Sequence, residues 1–329
     1  MPALHPHSAR VRSGPAFFRG GTCTAIGFTL PGAFVRLDAM ATSSLARTNT
    51  ERLTSRENRW LKRFRAALEG RAERDAEGAA PLGLEGPHLV EEALRSGLRI
   101  EALLVAESGE RHLARLRKLL PAGLRLLRTT DVLFAGLAGT ETPQGIAALA
   151  LPPTWTMDDL LRANPLVVVI AGVQDPGNVG TIVRTAEAFG ATGLIACRGA
   201  AHPLAPKSLR ASAGSALRLP MLAGMAPYRV LSALSARGLR HYAASLSGNC
   251  APEQAGFSGP SALWIGSEGA GLPAEIENAA DARVRISIAR PVESLNAAVA
   301  AAVLLYEASR QRRVAAEPPE PSAAREAAR

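Results

Sequence analysis

The chain has 329 residues, 47% hydrophobic and 20% charged, which suits two packed domains and argues against a disordered or fibrous protein. Cys23, Cys197 and Cys250 are odd in number and lack CxxC spacing, the six histidines form no HxxxH pattern, and no apolar run approaches the ~20 residues of a bilayer span, so a disulfide framework, a zinc or other metal site and a membrane anchor are not expected and a reducing cytoplasm is the natural setting. The net charge of +9 favours a polyanionic partner, but lysine occurs only at Lys62, Lys118 and Lys207, so the charge is nearly all arginine, as a GC-rich coding sequence would also produce.

Residues 1–48 show no sustained periodicity and are rich in Gly, Pro, Ser and Arg. The piece "AFFRGGTCTAIGFTLPGAFV" is broken by Arg and Gly and makes a poor signal-peptide core. A disordered extension, or a true start at Met40, is expected. Residues 49–151 then read as a small α/β domain. In "TSRENRWLKRFRAALEG" (54–70), Thr54 or Ser55 can cap a helix whose Trp60, Leu61, Phe64 and Leu68 recur at helical spacing. Opposite them lie Arg52, Arg56, Arg59, Lys62, Arg63 and Arg65 against Glu51 and Glu57. That face is either a solvated charged surface or one that tracks phosphates, with Arg56, Arg59, Lys62 and Arg63 as the contacts. "LGLEGPHLVEEALRSG" (82–97) reads as strand, turn and helix, "IEALLVAES" (100–108) as a strand, "RHLARLRKLL" (111–120) as a helix, and "GLRLLRTT" (123–130) and "GIAALALPP" (145–153) as strands.

Residues 152–164 form a proline-bearing linker with one or two helical turns. From 165 to 313 strands are expected at 166–171, 193–197, 240–244, 262–266 and 283–288, with helices between them and over 294–313, followed by a disordered tail at 314–329. The first strand opens "VVVIAGVQDPGNVGTIVRTAEAFGATGLIA" (167–196), whose glycines are spaced GxxxxGxxG. A dinucleotide fingerprint needs GxGxxG and an acidic residue after the next strand, and a phosphate loop needs Gly-Lys-Ser/Thr; neither is present. Pro176 and Gly177 instead suit a type II turn, and Asn178 can cap a helix starting near Val179. Val179, Ile182, Val183, Ala186 and Phe189 would face a core, and Gly190 would stop the helix. Arg184 on the other flank has Glu187 three residues later, a spacing that also fits a plain surface ion pair.

Two further loops follow strands: "LWIGSEGAGLP" (263–273) and the loop within "ARVRISIARPVESLNAAVAAAVLLYEASRQRR" (282–313), where Ser294 is the expected cap and Ala297, Ala298, Ala301 and Ala302 give a small-residue packing surface. Three strand-end loops rich in Gly, Ser, Asn and acidic residues suggest one ligand pocket.

These stretches, with "DPGNVGTIVRTAEAFG" (175–190), "IGSEGAGLP" (265–273) and "SIARPVESLNAAVAAAVLLYE" (287–307) in this order, resemble the three motifs of the SpoU/TrmH family of RNA ribose 2′-O-methyltransferases. "PKSLRASAGSALRLP" (206–220) is similar to the region between the first two motifs, and "TSRENRWLKRF", "LEGPHLVEEAL" and "TETPQGIAAL" are similar to the substrate domain of larger members. The resemblance implies a SPOUT-type α/β domain with a parallel sheet and a C-terminal deep trefoil knot, preceded by a small L7Ae/L30e-like α/β sandwich. It implies S-adenosylmethionine as cofactor, a homodimer, and structured RNA as substrate, 23S rRNA first. A tRNA methyltransferase, or a non-catalytic RNA-binding member of the same fold, is the alternative. Position by position, it places cofactor contacts at Gly266, Ile286 and Leu295, with Leu246 as a fourth, and active-site roles at Asn178, Arg184, Glu268, Ser294 and Asn296, with Glu187 as an orienting partner of Arg184. One departure is visible: the family's Ile-Pro-Met-x-Gly is here Ile286-Ser287-Ile288-Ala289-Arg290, which offers Arg290 as an added RNA contact.

Overall fold

The computed structural model describes residues 49–74 and 78–316, and the expectations for residues 1–48 and 317–329 fall outside the described residues. The first sheet belongs to the N-terminal half. Its elements are β1 (Asn49–Arg52), α1 (Arg59–Leu68), β2 (Leu82–Glu85), α2 (Pro87–Arg95), β3 (Ile100–Val105), α3 (Glu110–Leu116), β4 (Arg125–Arg128), α4 (Asp131–Ala135) and β5 (Ile146–Ala150). The strand order is β1-β4-β3-β5-β2, with β1, β4 and β3 mutually parallel and β5 antiparallel to both β3 and β2. β3 and β5 are almost wholly apolar, so each can be covered on both faces, and α1 lays Trp60, Leu61, Phe64 and Leu68 on one of them. The α1 cap is Asn58 rather than Thr54 or Ser55: its Oδ1 accepts the Trp60 N–H at 2.8 Å, so the helix begins one turn later than those residues would set it.

The connection holds one turn of helix, α5 (Met157–Leu160), closed by a reciprocal capping box between Thr156 and Asp159. The second sheet then runs through β6 (Leu166–Ala171), α6 (Pro176–Ala188), β7 (Gly193–Cys197), α7 (Pro206–Ser212), β8 (Met221–Met225), α8 (Pro227–Ser235), β9 (Arg240–Ala244), β10 (Ser261–Gly266), α9 (Ala274–Ala279), β11 (Ala282–Val284) and α10 (Ala297–Ala316). All its pairings are parallel, in the order β11-β9-β10-β6-β7-β8. The central strand β6, Leu-Val-Val-Val-Ile-Ala, is buried at every position, as a strand covered by helices on both faces must be. Among the described residues no helix is long and apolar enough to cross a membrane.

Three expectations need correcting. The strand expected at 283–288 ends at Val284, because its neighbour β9 ends at Ala244 and offers nothing further to pair with. β1 and β8 were not expected; the first is short and polar, the second is Met-Leu-Ala-Gly-Met, with no β-branched residue. The final helix starts at Ala297 and reaches Ala316, so residues 314–316 are helical rather than part of a tail.

Helices α6 and α7 approach closely because Gly180 has no side chain: a Cβ there would meet the Ser208 carbonyl and lie 2.6 Å from the Ala211 Cβ. On the opposite face of the sheet, His241 is buried between Trp264 and Ser235. The Trp264 indole N–H donates to His241 Nδ1 at 2.9 Å, which leaves the ring proton on Nε2 for Ser235 Oγ at 3.0 Å. Burial lowers the His241 pKa, with nearby Asp281 opposing in part. A lowered folded pKa means that its contribution to stability is complete above about pH 6.5, where an unfolded histidine is neutral, and is lost as pH falls from there toward the folded value. Thermal unfolding followed from about pH 7.5 to 5.5 should show a falling midpoint, and His241→Gln should be less stable at the upper end and fall less steeply.

Candidate active site

In-register pairing of β10 with β6 sets Ile265 beside Ile170 and Gly266 beside Ala171. The loops that leave these strand ends therefore start side by side. Gly172 turns the first with φ of 81°, and a Cβ on it would lie 3.5 Å from the Ser267 Cβ. Gly266 has its own steric reason: a Cβ would strike the backbone of Gly271 and Leu272, where residues 267–271 fold back through paired Ser267–Gly271 backbone bonds of 3.1 Å.

The first motif does not form a type II turn capped by Asn178. Helix α6 begins at Pro176, Asp175 is the cap, and its Oδ1 accepts the Asn178 N–H at 2.9 Å. Lys207 on α7 binds Asp175 at 2.8 Å and, together with the Asn178 N–H, holds that carboxyl below the usual carboxylate range. With its backbone used in the first helical turn, Asn178 has its side chain available. Its Nδ2 donates to Glu268 Oε1, and its Oδ1 accepts from Asn296 Nδ2 at 3.1 Å. Asn296 Oδ1 in turn accepts the N–H groups of Ala298 and Val299 at 2.9 and 3.3 Å. Asn296, not Ser294, therefore caps α10, and one residue from each motif is joined in a single hydrogen-bonded chain.

Beside this chain opens a cavity of about 330 Å³. Of the expected cofactor contacts, Gly266, Ile286, Leu295 and Leu246 all line it, as do Glu268 and Ser294. Its lining includes Ile265, Ile288, Val284 and Leu304, so residues 285–296, freed from strand pairing, serve as one wall. Ile288 stands where the family's motif has methionine and still supplies an apolar side chain. An apolar cleft of this size with a few polar groups suits a nucleoside-bearing ligand such as S-adenosylmethionine.

Arg184 lies elsewhere. It is exposed on α6, is not part of the cavity wall, and makes no hydrogen bond or ion pair among the described residues. Glu187 does not orient it. Glu187 is held by Arg218 through two contacts of 2.7 Å, and the remaining Arg218 amino group reaches Glu92 on α2. Burial pushes the Glu187 pKa up, but the Arg218 hydrogen bonds outweigh this and leave it lowered. Arg218 thus fastens the helix of the first motif to the N-terminal sheet's helix layer, a role with no motif to announce it.

On α1 the basic residues divide. Lys62 pairs with Glu57 at 2.5 Å and Arg63 with Glu101 at 2.8 Å, as a solvated face would. Arg56 is exposed without an ion pair among the described residues. Arg59, Arg63 and Arg125 surround the Trp60 ring at 5.9, 4.8 and 5.0 Å from its centroid. Arg290 is exposed. Among the described residues no group of three or more His, Cys, Asp or Glu could hold a metal ion. Cys197 is buried on β7, which pushes its thiol up to about 12. Sequence reasoning passed over Ser245, Ser247 and Glu277, which also line the cavity. Glycines and asparagines in a loop announce themselves, whereas a glutamate on a short surface helix does not.

A parallel α/β domain with a strand-end pocket of this kind, carried behind a second α/β domain, defines a two-domain α/β protein with a site for a nucleotide or a nucleoside-bearing cofactor. Residues 165–306 match the SpoU rRNA Methylase family, and residues 58–148 match the MRM3-like substrate binding domain. The chain is 34% identical over 223 residues, 68% of its length and 86% of the relative's, to the 23S rRNA (guanosine(2553)-2′-O)-methyltransferase RlmP of Bacillus subtilis. Among solved structures it resembles the SpoU methyltransferase AviRb from Streptomyces viridochromogenes in complex with AdoMet (TM-score 0.70, 30% identity, 78% of this chain and 99% of that one). It also resembles an AdoMet-bound rRNA methyltransferase from Sinorhizobium meliloti (TM-score 0.67, 29% identity, 79% and 98% of the two chains). The chain belongs to the SpoU rRNA methylase family, and it is an S-adenosylmethionine-dependent RNA ribose methyltransferase.

The double duty of Asn296 can be separated. Asn296→Ala should lower stability by about 1 kcal/mol through the lost cap. Asn296→Asp keeps the oxygen that caps α10 but loses the amide donor to Asn178, so it should unfold near the wild-type temperature while methyl transfer falls. Thermal melts and transfer assays on both variants check this.

Proposed function

We propose that the chain methylates a ribose 2′-hydroxyl of 23S rRNA in the cytoplasm, with residues 165–313 as catalytic domain, 152–164 as linker and 49–151 as the RNA-gripping domain. The observation that carries this reading is the Glu268–Asn178–Asn296 chain beside the cavity lined by Gly266, Ile286, Leu295 and Leu246. Bound there, the cofactor supplies an electrophilic methyl on a sulfonium, so the protein's work is alignment and activation of the hydroxyl. Ser294 and Asn296 hold the target ribose, and Asn178 and Glu268 shape the floor beneath it. Arg184 orients an RNA phosphate and stabilises the developing alkoxide; a guanidinium does not give up its proton, so the hydroxyl proton passes to that phosphate or to water. Its exposure, and the lack of a partner among the described residues, suit a residue that meets RNA.

The relative RlmP, named for 23S rRNA, and the separate N-terminal domain favour rRNA over tRNA. The arginines around Trp60 offer a rigid basic surface for a phosphate backbone, since Trp60 fixes the guanidinium positions without being consumed as a stacking platform. A homodimer is favoured by the outer face of α10, where Val299, Val303 and Tyr306 are exposed at helical spacing and the Phe189 ring meets Tyr306 edge-on at 5.8 Å. The C-terminal knot belongs to the same reading and concerns how residues 285–296 are threaded.

Replacing Arg184 by Ala should nearly abolish methyl transfer to rRNA while the cofactor still binds; loss of cofactor binding would make Arg184 a structural residue. Reversing charge at Arg59 and Arg63 should weaken RNA binding and flatten its salt dependence, and unchanged binding would return α1 to a merely solvated face.

A further inference from the structure

One wall of the cavity has no part in the reading above. Glu277 on α9 lines it together with Ser245 and Ser247 at the end of β9. Both serine hydroxyls donate to Glu277 Oε1, that of Ser247 at 3.2 Å, and the Ser247 N–H donates to Ser245 Oγ at 3.1 Å. The two serine oxygens also approach each other to 3.0 Å. The hydroxyl protons are thereby committed to one carboxylate oxygen. What remains open is acceptor capacity, at Glu277 Oε2 and Ser247 Oγ. Glu277 makes no ion pair among the described residues, and it is flanked in the lining by aliphatic Leu246, Val284 and Ile286.

Such a patch selects its ligand by chemistry. A carboxylate facing an apolar cleft without a cation repels a second carboxylate and is best satisfied by a group with several O–H or N–H donors. A pair of neighbouring hydroxyls does this without adding charge, and an acidic residue serving ribose hydroxyls is a recurrent solution in nucleotide-binding α/β proteins. The carboxylate lines the cavity from α9, beside the end of β9, whereas Glu268, the lining member of the Glu268–Asn178–Asn296 chain, reaches it from the loop after β10. The cavity thus has two separate polar groups among its lining residues, one around Glu277 and one around Glu268.

We propose that Glu277, held by Ser245 and Ser247, reads the vicinal 2′- and 3′-hydroxyls of the cofactor's adenosyl ribose. This rests on the methyltransferase reading and assigns the cofactor site a specificity residue outside its three motifs. The serines keep the carboxylate from turning to solvent, so the acceptor is in place before the ligand arrives.

The test is a binding cycle by calorimetry on the full-length protein. S-adenosylhomocysteine, 5′-methylthioadenosine and 2′-deoxy-5′-methylthioadenosine are titrated into wild type, Glu277→Ala and Glu277→Gln. Wild type should bind methylthioadenosine roughly tenfold more tightly than its 2′-deoxy counterpart, as expected for one hydrogen bond to a charged acceptor, and Glu277→Ala should bind the two equally. Glu277→Gln, which keeps an oxygen but not the charge, should fall between them. If removing the 2′-hydroxyl costs the same in every protein, Glu277 only shapes the loop and the proposal is overturned. It is equally overturned if Glu277→Ala weakens S-adenosylhomocysteine but not methylthioadenosine, since the carboxylate would then be reading the amino-acid ammonium. Failure of wild type to bind S-adenosylhomocysteine at all would instead sink the methyltransferase reading, and the subsite with it.

Discussion

The site depends on the parallel, in-register pairing of β6 with β10. These strands are separated by some ninety residues of chain, and no local interaction brings them together. Their pairing, Leu166 with Ser261 through Ala171 with Gly266, fixes where both loops leave the sheet. A shift of one residue would turn every side chain of β10 to the opposite face and carry Glu268 away from Asn178. Both strands are wholly apolar over their paired length apart from Ser261 and Gly266, and Gly266 marks the register, because a Cβ at its place would strike the backbone of Gly271 and Leu272. The pocket lies next to the point where strand order reverses, with β7 and β8 on one side of β6 and β10, β9 and β11 on the other, which is where open α/β sheets leave a crevice.

Backbone capping does more at this site than side-chain charge. Asp175 takes the cap of α6 and releases the side chain of Asn178; Asn296 takes the cap of α10 and still has its amide to offer. Each asparagine is fixed at its backbone by a helix end, so the bonds between them order few additional rotors. The far end of α10 is equally constrained. Gln311 accepts the Phe257 N–H at 2.7 Å and donates to the Pro252 carbonyl at 3.0 Å, while Arg312 donates to the carbonyls of Asn164 and Pro165 at 2.8 and 3.0 Å. With both ends held, α10 is pinned beside the cavity it lines through Ala297, Ala300 and Leu304.

Much of this was legible in the sequence, for identifiable reasons. Runs such as Val167–Ile170 and Leu263–Ile265 can be little but buried strands, and Gly190 past the end of α6 takes the positive φ expected of a helix stop. Gly266, Glu268 and Ser294 were legible as pocket residues because the strand-end loops that carry them are rich in Gly, Ser and acidic residues. Capping residues were misassigned because Asp175, Asn178, Ser294 and Asn296 are all competent caps, and the choice among them is made by where the helix axis must point to pack on the sheet. Residues 285–289, Arg-Ile-Ser-Ile-Ala, alternate as a strand does, yet strand formation needs a partner, and β9 stops at Ala244. Glu187 shows the same limit in another form: its spacing from Arg184 suggested a local pair, but Arg218, thirty-one residues on, reaches it with better geometry.

Arg218 also explains how two domains can act as one tool. A separate substrate-binding domain can choose a nucleotide only if its orientation relative to the strand-end pocket is defined. The connection at residues 152–164 contains only a single turn of helix and would not define it alone. The orientation is set instead by the segment after α7. There Gly214, at φ of 92°, leaves room that a Cβ would take from the Glu92 side chain, the His88 ring meets the Ala213 carbonyl at 3.2 Å, and Arg218 spans Glu92 and Glu187. Because Glu187 lies on the same helix as Asn178, the contact to α2 is made to the helix whose first turn is bonded to Glu268 at the cavity. Arg218 joins α2 to α6 through one planar guanidinium, whose fork suits the two-point pairing with Glu187.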